Sequence, residues 1–343
     1  MWNSNYSRFL IRTLKIVFKI LPWFNQYLVR FDLELLHHAF LIGGKEGVGK
    51  KYFSLLLSQL ILCKEKNEFM PCNACQSCKL FISSNHPDFY TIKMEEGKKK
   101  ISINQIKELQ TNFYESSFLS GNKIFLIEHA EFLSRDAADS LLKILEEPPE
   151  NTYFIITSHR AKQLSATIQS RCSEVFISNP GKKEIEDWLR QENTSNENLK
   201  LALNLALGHP LRIKELLDDN ILDSRNSFIN EISQLIKKGK NIVSLSEEWP
   251  KEPKALVFKL EWMSNLMMDA IRYQMTGDEK EIQIDTSAIS IYLGQKIEFN
   301  ILFELLTETN TLWSLFAEGT NLKADYQLQS LFINWENKLG LSV

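Results

Sequence analysis

Five short apolar runs, AFLIG (39–43), DFYTIK (88–93), KIFLIE (123–128), YFIITS (153–158) and EVFIS (174–178), are separated by stretches of helical periodicity. This alternation limits the fold more than any other feature. Short runs of β-branched and aromatic residues suit strands buried on both faces. Helices between them act as crossovers, and crossovers join parallel strands. KYFSLLLSQLILC follows the first run as a helix. Ile103, Ile106, Leu109 and Phe113 form a helical stripe between the second and third runs. Ser134 can cap a helix carrying Ala138, Leu141, Leu142 and Leu145, which Pro148 and Pro149 stop. The expectation is an α/β domain with a mostly parallel five-stranded sheet over 21–178. GKKK (97–100) reads as a solvated hairpin tip. Beyond residue 179 only helical patterns occur, predicting a small helical domain over 179–222 and a larger one over 223–343.

A chain of 343 residues accommodates two or three such domains. Its net charge of −3 provides no general attraction to nucleic acid, so a DNA contact would need a local basic patch or a partner's charge. No run of about 18 apolar residues is present, so no membrane-spanning helix is expected. Residues 1–20 differ in character. Arg8, Arg12, Lys15 and Lys19 recur at helical spacing, and no acidic residue precedes Asp32. A membrane-surface helix or a targeting segment has this pattern. Without a small-residue cleavage site, the segment is read as an N-terminal extension.

GGKEGVGKKYF (43–53) carries the phosphate-loop pattern Gly44-x4-Gly49-Lys50 between the first strand and a helix. Backbone N–H groups at such a turn surround a phosphate, and Lys50 would reach its terminal oxygens. The hydroxyl that ligates Mg²⁺ belongs at the next position, where Lys51 stands and cannot bind a cation. An ATPase of this kind also ends its third strand in two carboxylates, one for the metal and one for the attacking water. Here Glu128 holds the first place and His129 the second. Two parts needed for hydrolysis are replaced, while nucleotide binding itself stays open.

Four of the five cysteines crowd into ILCKEKNEFMPCNACQSCKLF as Cys63, Cys72, Cys75 and Cys78. The spacing C-x8-C-x2-C-x2-C suits four thiolates closing a tetrahedron on zinc, with no open position and hence a structural role. The fifth, Cys172, lies in Ser170-Arg171-Cys172. Taken alone, Arg171 is a solvated surface arginine.

These stretches together resemble a known family. LPWFNQYL, HHAFLIGGKEGVGK, the four-cysteine module, HPDFYTI, ISINQIKELQ, KIFLIEHAEFLSRDAADSLLKILEEPPENTYFIITS and ATIQSRCSEVF run in order through 21–178. They resemble the delta-prime subunits of bacterial DNA polymerase III clamp loaders. GHPLRIKELL and GTNLKADYQLQSLF carry the likeness weakly into the last third. The resemblance implies an AAA+ module with a zinc insertion (63–78), a lid (179–222) and a helical collar (223–343). It implies a cytoplasmic hetero-oligomer with the gamma or tau motor subunits and delta, acting on a sliding clamp and primed DNA. In that family the delta-prime subunit does not hydrolyse ATP. Its Ser-Arg-Cys arginine, here Arg171, reaches ATP on a neighbouring motor subunit. Arg212 matches a second sensor arginine of active relatives, and in a chain without hydrolysis it reads as a helix surface residue.

Two other readings make different demands on the sequence. A motor ATPase would need a hydroxyl at position 51 and a carboxylate at 129. A stand-alone zinc protein binding nucleic acid would need a basic or aromatic surface around the cysteines, and KEKNEFM balances its charges.

Overall fold

The computed structural model describes residues 21–31, 35–66, 69–95, 97–119, 121–190, 196–206, 209–218, 221–237, 242–249, 253–279, 282–317 and 323–340. The basic segment at 1–20 and Gly208 lie outside them.

The five predicted strands are present as β1 (Ala39–Gly44), β2 (Phe89–Ile92), β3 (Lys123–Ile127), β4 (Thr152–Ser158) and β5 (Ser173–Ile177). All pairings are parallel, in the order β2-β3-β4-β1-β5. β1, β3 and β4 occupy the middle and are almost wholly buried, which accounts for the unbroken apolar runs. β5 lies at the edge, and its Phe176 is 59% exposed. The GKKK tip is exposed as expected, yet it is not a hairpin: it leads from β2 to a parallel bridge between Ile101 and Leu133.

The helices of this part are α1 (Asn25–Leu28), α2 (Lys50–Leu62), α3 (Gln76–Ile82), α4 (Ile103–Glu108), α5 (Gln110–Tyr114), α6 (Arg135–Glu146), α7 (Ala166–Gln169) and α8 (Lys182–Arg190). Local chemistry starts several of them. The Ser134 hydroxyl accepts from the Ala137 N–H at 3.2 Å at the head of α6, and Ser102 with Gln105 forms a capping box at α4. On one face of the sheet, Phe113, Phe125 and Phe154 join Ile106, Leu141 and Ile144 in a single apolar cluster. Burying side chains of this size contributes roughly 1.5–3 kcal/mol each.

The remaining described helices are α9 (Asn196–Leu205), α10 (Pro210–Asp218), α11 (Ile221–Ile236), α12 (Ile242–Glu248), α13 (Pro253–Thr276), α14 (Ser287–Lys296), α15 (Phe299–Ala317) and α16 (Ala324–Lys338). The chain divides into two compact units, Met1–Ser195 with Ala206–Lys214, and Asn196–Leu205 with Glu215–Val343. Among the described residues the second unit's elements are all helical, built on α13, which packs against α14 and α15. Its interior holds the fully buried Arg225, whose guanidinium grips both Asp285 oxygens (2.8 and 3.0 Å) and Gln283 Oε1 (2.7 Å). Trp262 faces this cation at 5.3 Å. Removing one partner from so buried a pair leaves an uncompensated charge, which is far more costly than losing a surface pair.

Candidate functional site

The phosphate-type loop sits where β1 turns into α2, at the carboxyl edge of the parallel sheet, where ligands of open α/β sheets bind. Its glycines are required by shape. Gly44 has φ +148°, and a Cβ there would lie 2.5 Å from the Ile177 carbonyl oxygen. Gly49 has φ +96°, and a Cβ would press on Leu21 and Phe24 at 2.9 Å.

Protein groups already hold this loop from several sides. Trp23 Nε1 donates to the Val48 carbonyl at 3.2 Å. His209 Nδ1 lies 2.5 Å from the Glu46 carbonyl, and the Leu211 N–H donates to Gly47 O at 3.2 Å. The nearly buried Lys50 folds back so that Nζ donates to Gly44 O (2.9 Å) and Lys45 O (2.7 Å). Burial holds its pKa below the ordinary lysine value, with Glu131 and Glu46 opposing.

Lys51 occupies the position of the missing hydroxyl and reaches across to β3, where Nζ meets Glu128 Oε2 at 3.2 Å. The carboxylate that would order Mg²⁺ in an ATPase is thus neutralised by a cation of the protein itself. His129 takes a left-handed backbone (φ 57°), with its N–H donating to Thr157 Oγ1 at 3.0 Å. Its ring turns to Glu131, Nδ1 to Oε1 at 3.3 Å. His159, immediately after β4, contacts the same Oε1 through Nδ1. The sequence reading missed His159. Its signal was register: Ile127 of β3 pairs with Ile156 of β4, so residues just past the two strand ends share one edge.

Arg171 follows α7 at the start of β5. Its Nη2 pairs with Glu146 Oε1 at 2.7 Å, and Nη1 donates to Thr167 O at 3.1 Å. Cys172 beside it packs against the core, and burial, then Glu174, pushes its thiol up to about 12. Arg212 is half-buried on α10.

The four cysteine sulfurs converge, all within 4.8 Å of one another. Cys63 ends α2, Cys75 caps α3, and Cys78 lies in its first turn. Backbone N–H groups point at the sulfurs: Cys72 N to Cys63 Sγ (3.3 Å), Cys75 N to Cys72 Sγ (3.3 Å) and Cys78 N to Cys75 Sγ (3.5 Å). Cys72 Sγ and Cys78 Sγ are 4.0 Å apart; a tetrahedral zinc with Zn–S near 2.3 Å sets sulfurs about 3.8 Å apart. Burial pushes the Cys63 and Cys78 thiols up, so a metal is what would keep them as thiolates. The donor set therefore fits zinc held by Cys63, Cys72, Cys75 and Cys78. Such an ion would cross-link the end of α2 to α3, leaving no coordination position for chemistry.

The module is tied down by a buried relay. His86, 6% exposed, accepts from the Asp88 N–H through Nδ1 (3.1 Å), so Nε2 carries the proton, 2.9 Å from Ser77 Oγ. Ser77 in turn donates to Leu62 O at 2.7 Å. Burial lowers the pKa of His86, with Asp88 opposing. The folded state thus resists a proton that the unfolded chain accepts. Stability is full above the unfolded pKa of about 6.5 and falls as pH drops through it, by up to about 1.4 kcal/mol per pH unit. Urea midpoints of the wild type and His86→Gln at about pH 7.5 and 5.5 check this. The variant should lose less on acidification, and parallel losses would refute the assignment.

The chain is similar to known proteins over most of its length. The profile of the family described as "DNA polymerase III, delta subunit" matches residues 26–180, and that of "DNA polymerase III, delta subunit, C terminal" matches 219–337. DNA polymerase III subunit delta' of Pseudomonas aeruginosa is 30% identical over 281 residues, covering 81% of this chain and 85% of the relative. The Yersinia pestis subunit delta' is 27% identical, covering 93% and 96%, and that of Escherichia coli K12 is 26% identical, covering 93% and 96%. Among solved structures, a gamma subunit-related protein of Thermotoga maritima aligns over 96% of this chain and 99% of its own, at 18% identity and TM-score 0.45. Among the described residues, no helix is long and apolar enough to cross a membrane.

Proposed function

The chain belongs to the delta' family of DNA polymerase III subunits, and on that premise we propose that it is the non-hydrolysing subunit of a sliding-clamp loader in DNA replication. Its partners are the motor subunits and delta, and through them the clamp and primed DNA. Residues 21–178 form the AAA+ core with the zinc module at 63–78, residues 179–222 the lid and 223–343 the collar through which the subunits assemble.

The observation that carries the reading is the pair between Lys51 and Glu128. A productive site needs Mg²⁺ between the hydroxyl side chain of the loop and the acidic strand end. Here a tethered ammonium fills that gap, and a second cation placed beside it would be repelled. The position of the water-polarising carboxylate is taken by His129, whose ring is engaged with Glu131. Trp23, His209 and Leu211 meanwhile hydrogen-bond the loop carbonyls from within the protein. Gly44, Gly49 and Lys50 are then a retained scaffold, and the chemistry passes to Arg171, which serves ATP on the adjacent motor subunit.

The purified chain should hydrolyse no ATP with Mg²⁺, and it should co-elute with the other loader subunits when mixed with them. Turnover by the isolated chain that Lys50→Ala abolishes would establish the motor reading instead. Failure to co-elute would remove the loader assignment.

A further inference from the structure

Three potential ligand atoms from His129, Glu131 and His159 lie within 4.8 Å of one another, at the carboxyl ends of adjacent strands β3 and β4 and well apart in sequence from the cysteines. We propose that these three side chains form a second metal site, which takes a divalent transition ion such as Zn²⁺ and ties the ends of β3 and β4 together.

The donor set is the first argument. Two imidazoles and one carboxylate, leaving a position for water, make up a common site for zinc and its neighbours in the first transition row. The spacing is the second. Ligand atoms on a tetrahedral ion with bonds near 2.0–2.1 Å stand about 3.4 Å apart, and His129 Nδ1 lies 3.3 Å from Glu131 Oε1. His159 Nδ1 contacts the same oxygen directly, closer than two ligands of one ion stand, so its ring would swing outward to coordinate.

One oxygen of the Glu131 carboxylate also lacks a partner of its own. The Glu131 side chain is only 7% exposed, and its Oε2 is buried with no hydrogen-bond partner. An unpartnered carboxylate oxygen in that setting carries the desolvation cost of a charged acceptor. On binding, the ion takes up the carboxylate while the imidazoles exchange their contacts with Oε1 for coordination. Access is open on one side, because the His129 and His159 side chains are 53% and 24% exposed. The rigid element is the backbone: the Thr157 hydroxyl accepts from the His129 N–H at 3.0 Å and holds the left-handed turn that aims the ring.

Full-length protein stripped of metal under reducing conditions and reloaded with Zn²⁺ alone tests the site by metal analysis. The wild type should hold about two equivalents, one at the cysteines and one at this site. His159→Gln and Glu131→Gln should each hold about one, with the second ion bound at least about 100-fold more weakly. His129→Asn should do the same while remaining folded, since asparagine tolerates a left-handed backbone. Co²⁺ separates the two sites, because the intense sulfur-to-metal absorption belongs to the cysteines and should survive in all three variants. A wild type that holds one equivalent, or variants that keep two, would overturn the proposal.

Discussion

Arg171→Ala should lower the ATPase rate of a reconstituted loader, although the altered chain hydrolyses nothing itself. An arginine supplied in trans stabilises transition-state charge on a transferring phosphoryl group, worth about 10³–10⁵ in rate at the affected site, or roughly 4–7 kcal/mol. The steady-state loss in the complex is smaller wherever other motor sites keep their own arginine. The guanidinium is 34% exposed and its partner Glu146 50% exposed. A solvated pair of this kind is worth about 0–1 kcal/mol, so the guanidinium can leave Glu146 for a phosphate at little cost. Arg171→Ala should therefore leave the melting temperature nearly unchanged, separating a loss of catalysis from a loss of fold. Glu146→Gln should not reduce the rate, because it frees the fork without removing it. Arg171→Lys should restore little, since an ammonium lacks the planar pair of donors. An unchanged rate with Arg171→Ala would end the arginine-finger assignment.

Stripping the metal from the cysteine module should cause the largest structural change in the chain. Structural zinc binding is worth on the order of 10 kcal/mol in small modules, and the part that folding needs is lost with the ion. Cys75 caps α3, Cys78 is fully buried in it, and Cys63 closes α2. Without the ion, buried thiols with raised pKa values are left facing one another. Residues 72–82 should then lose hydrogen-exchange protection, while β1, β3 and β4, whose apolar cluster contains none of the four module cysteines, should keep theirs. Cys78→Ser should mimic chelation, and the Co²⁺–thiolate absorption should vanish with it. Less than about half an equivalent of thiolate-bound zinc in the purified wild type would count against the site.

Much of this was legible from one dimension. β1, β3 and β4 were readable because they are parallel and buried, and buried strands are written as unbroken apolar runs. β5 was also found, even though its edge position exposes Phe176. The cysteine module was legible because short-range spacing alone brings sulfurs together. The hairpin at 97–100 was misread because a polar tip looks the same whether the chain returns antiparallel or continues to a parallel bridge.

Sequence alone determined that Lys51 and His129 stand where a hydroxyl and a carboxylate are needed, since substitutions within a motif are local facts. It could not determine what the substituted residues do. That Lys51 spans to Glu128, that His209 and Trp23 hold the loop, and that His159 joins His129 on Glu131 are pairings between residues 25 to 163 positions apart. Only the parallel register of β3, β4 and β1 brings those strand ends to one edge, and no local pattern encodes a distance set by the sheet.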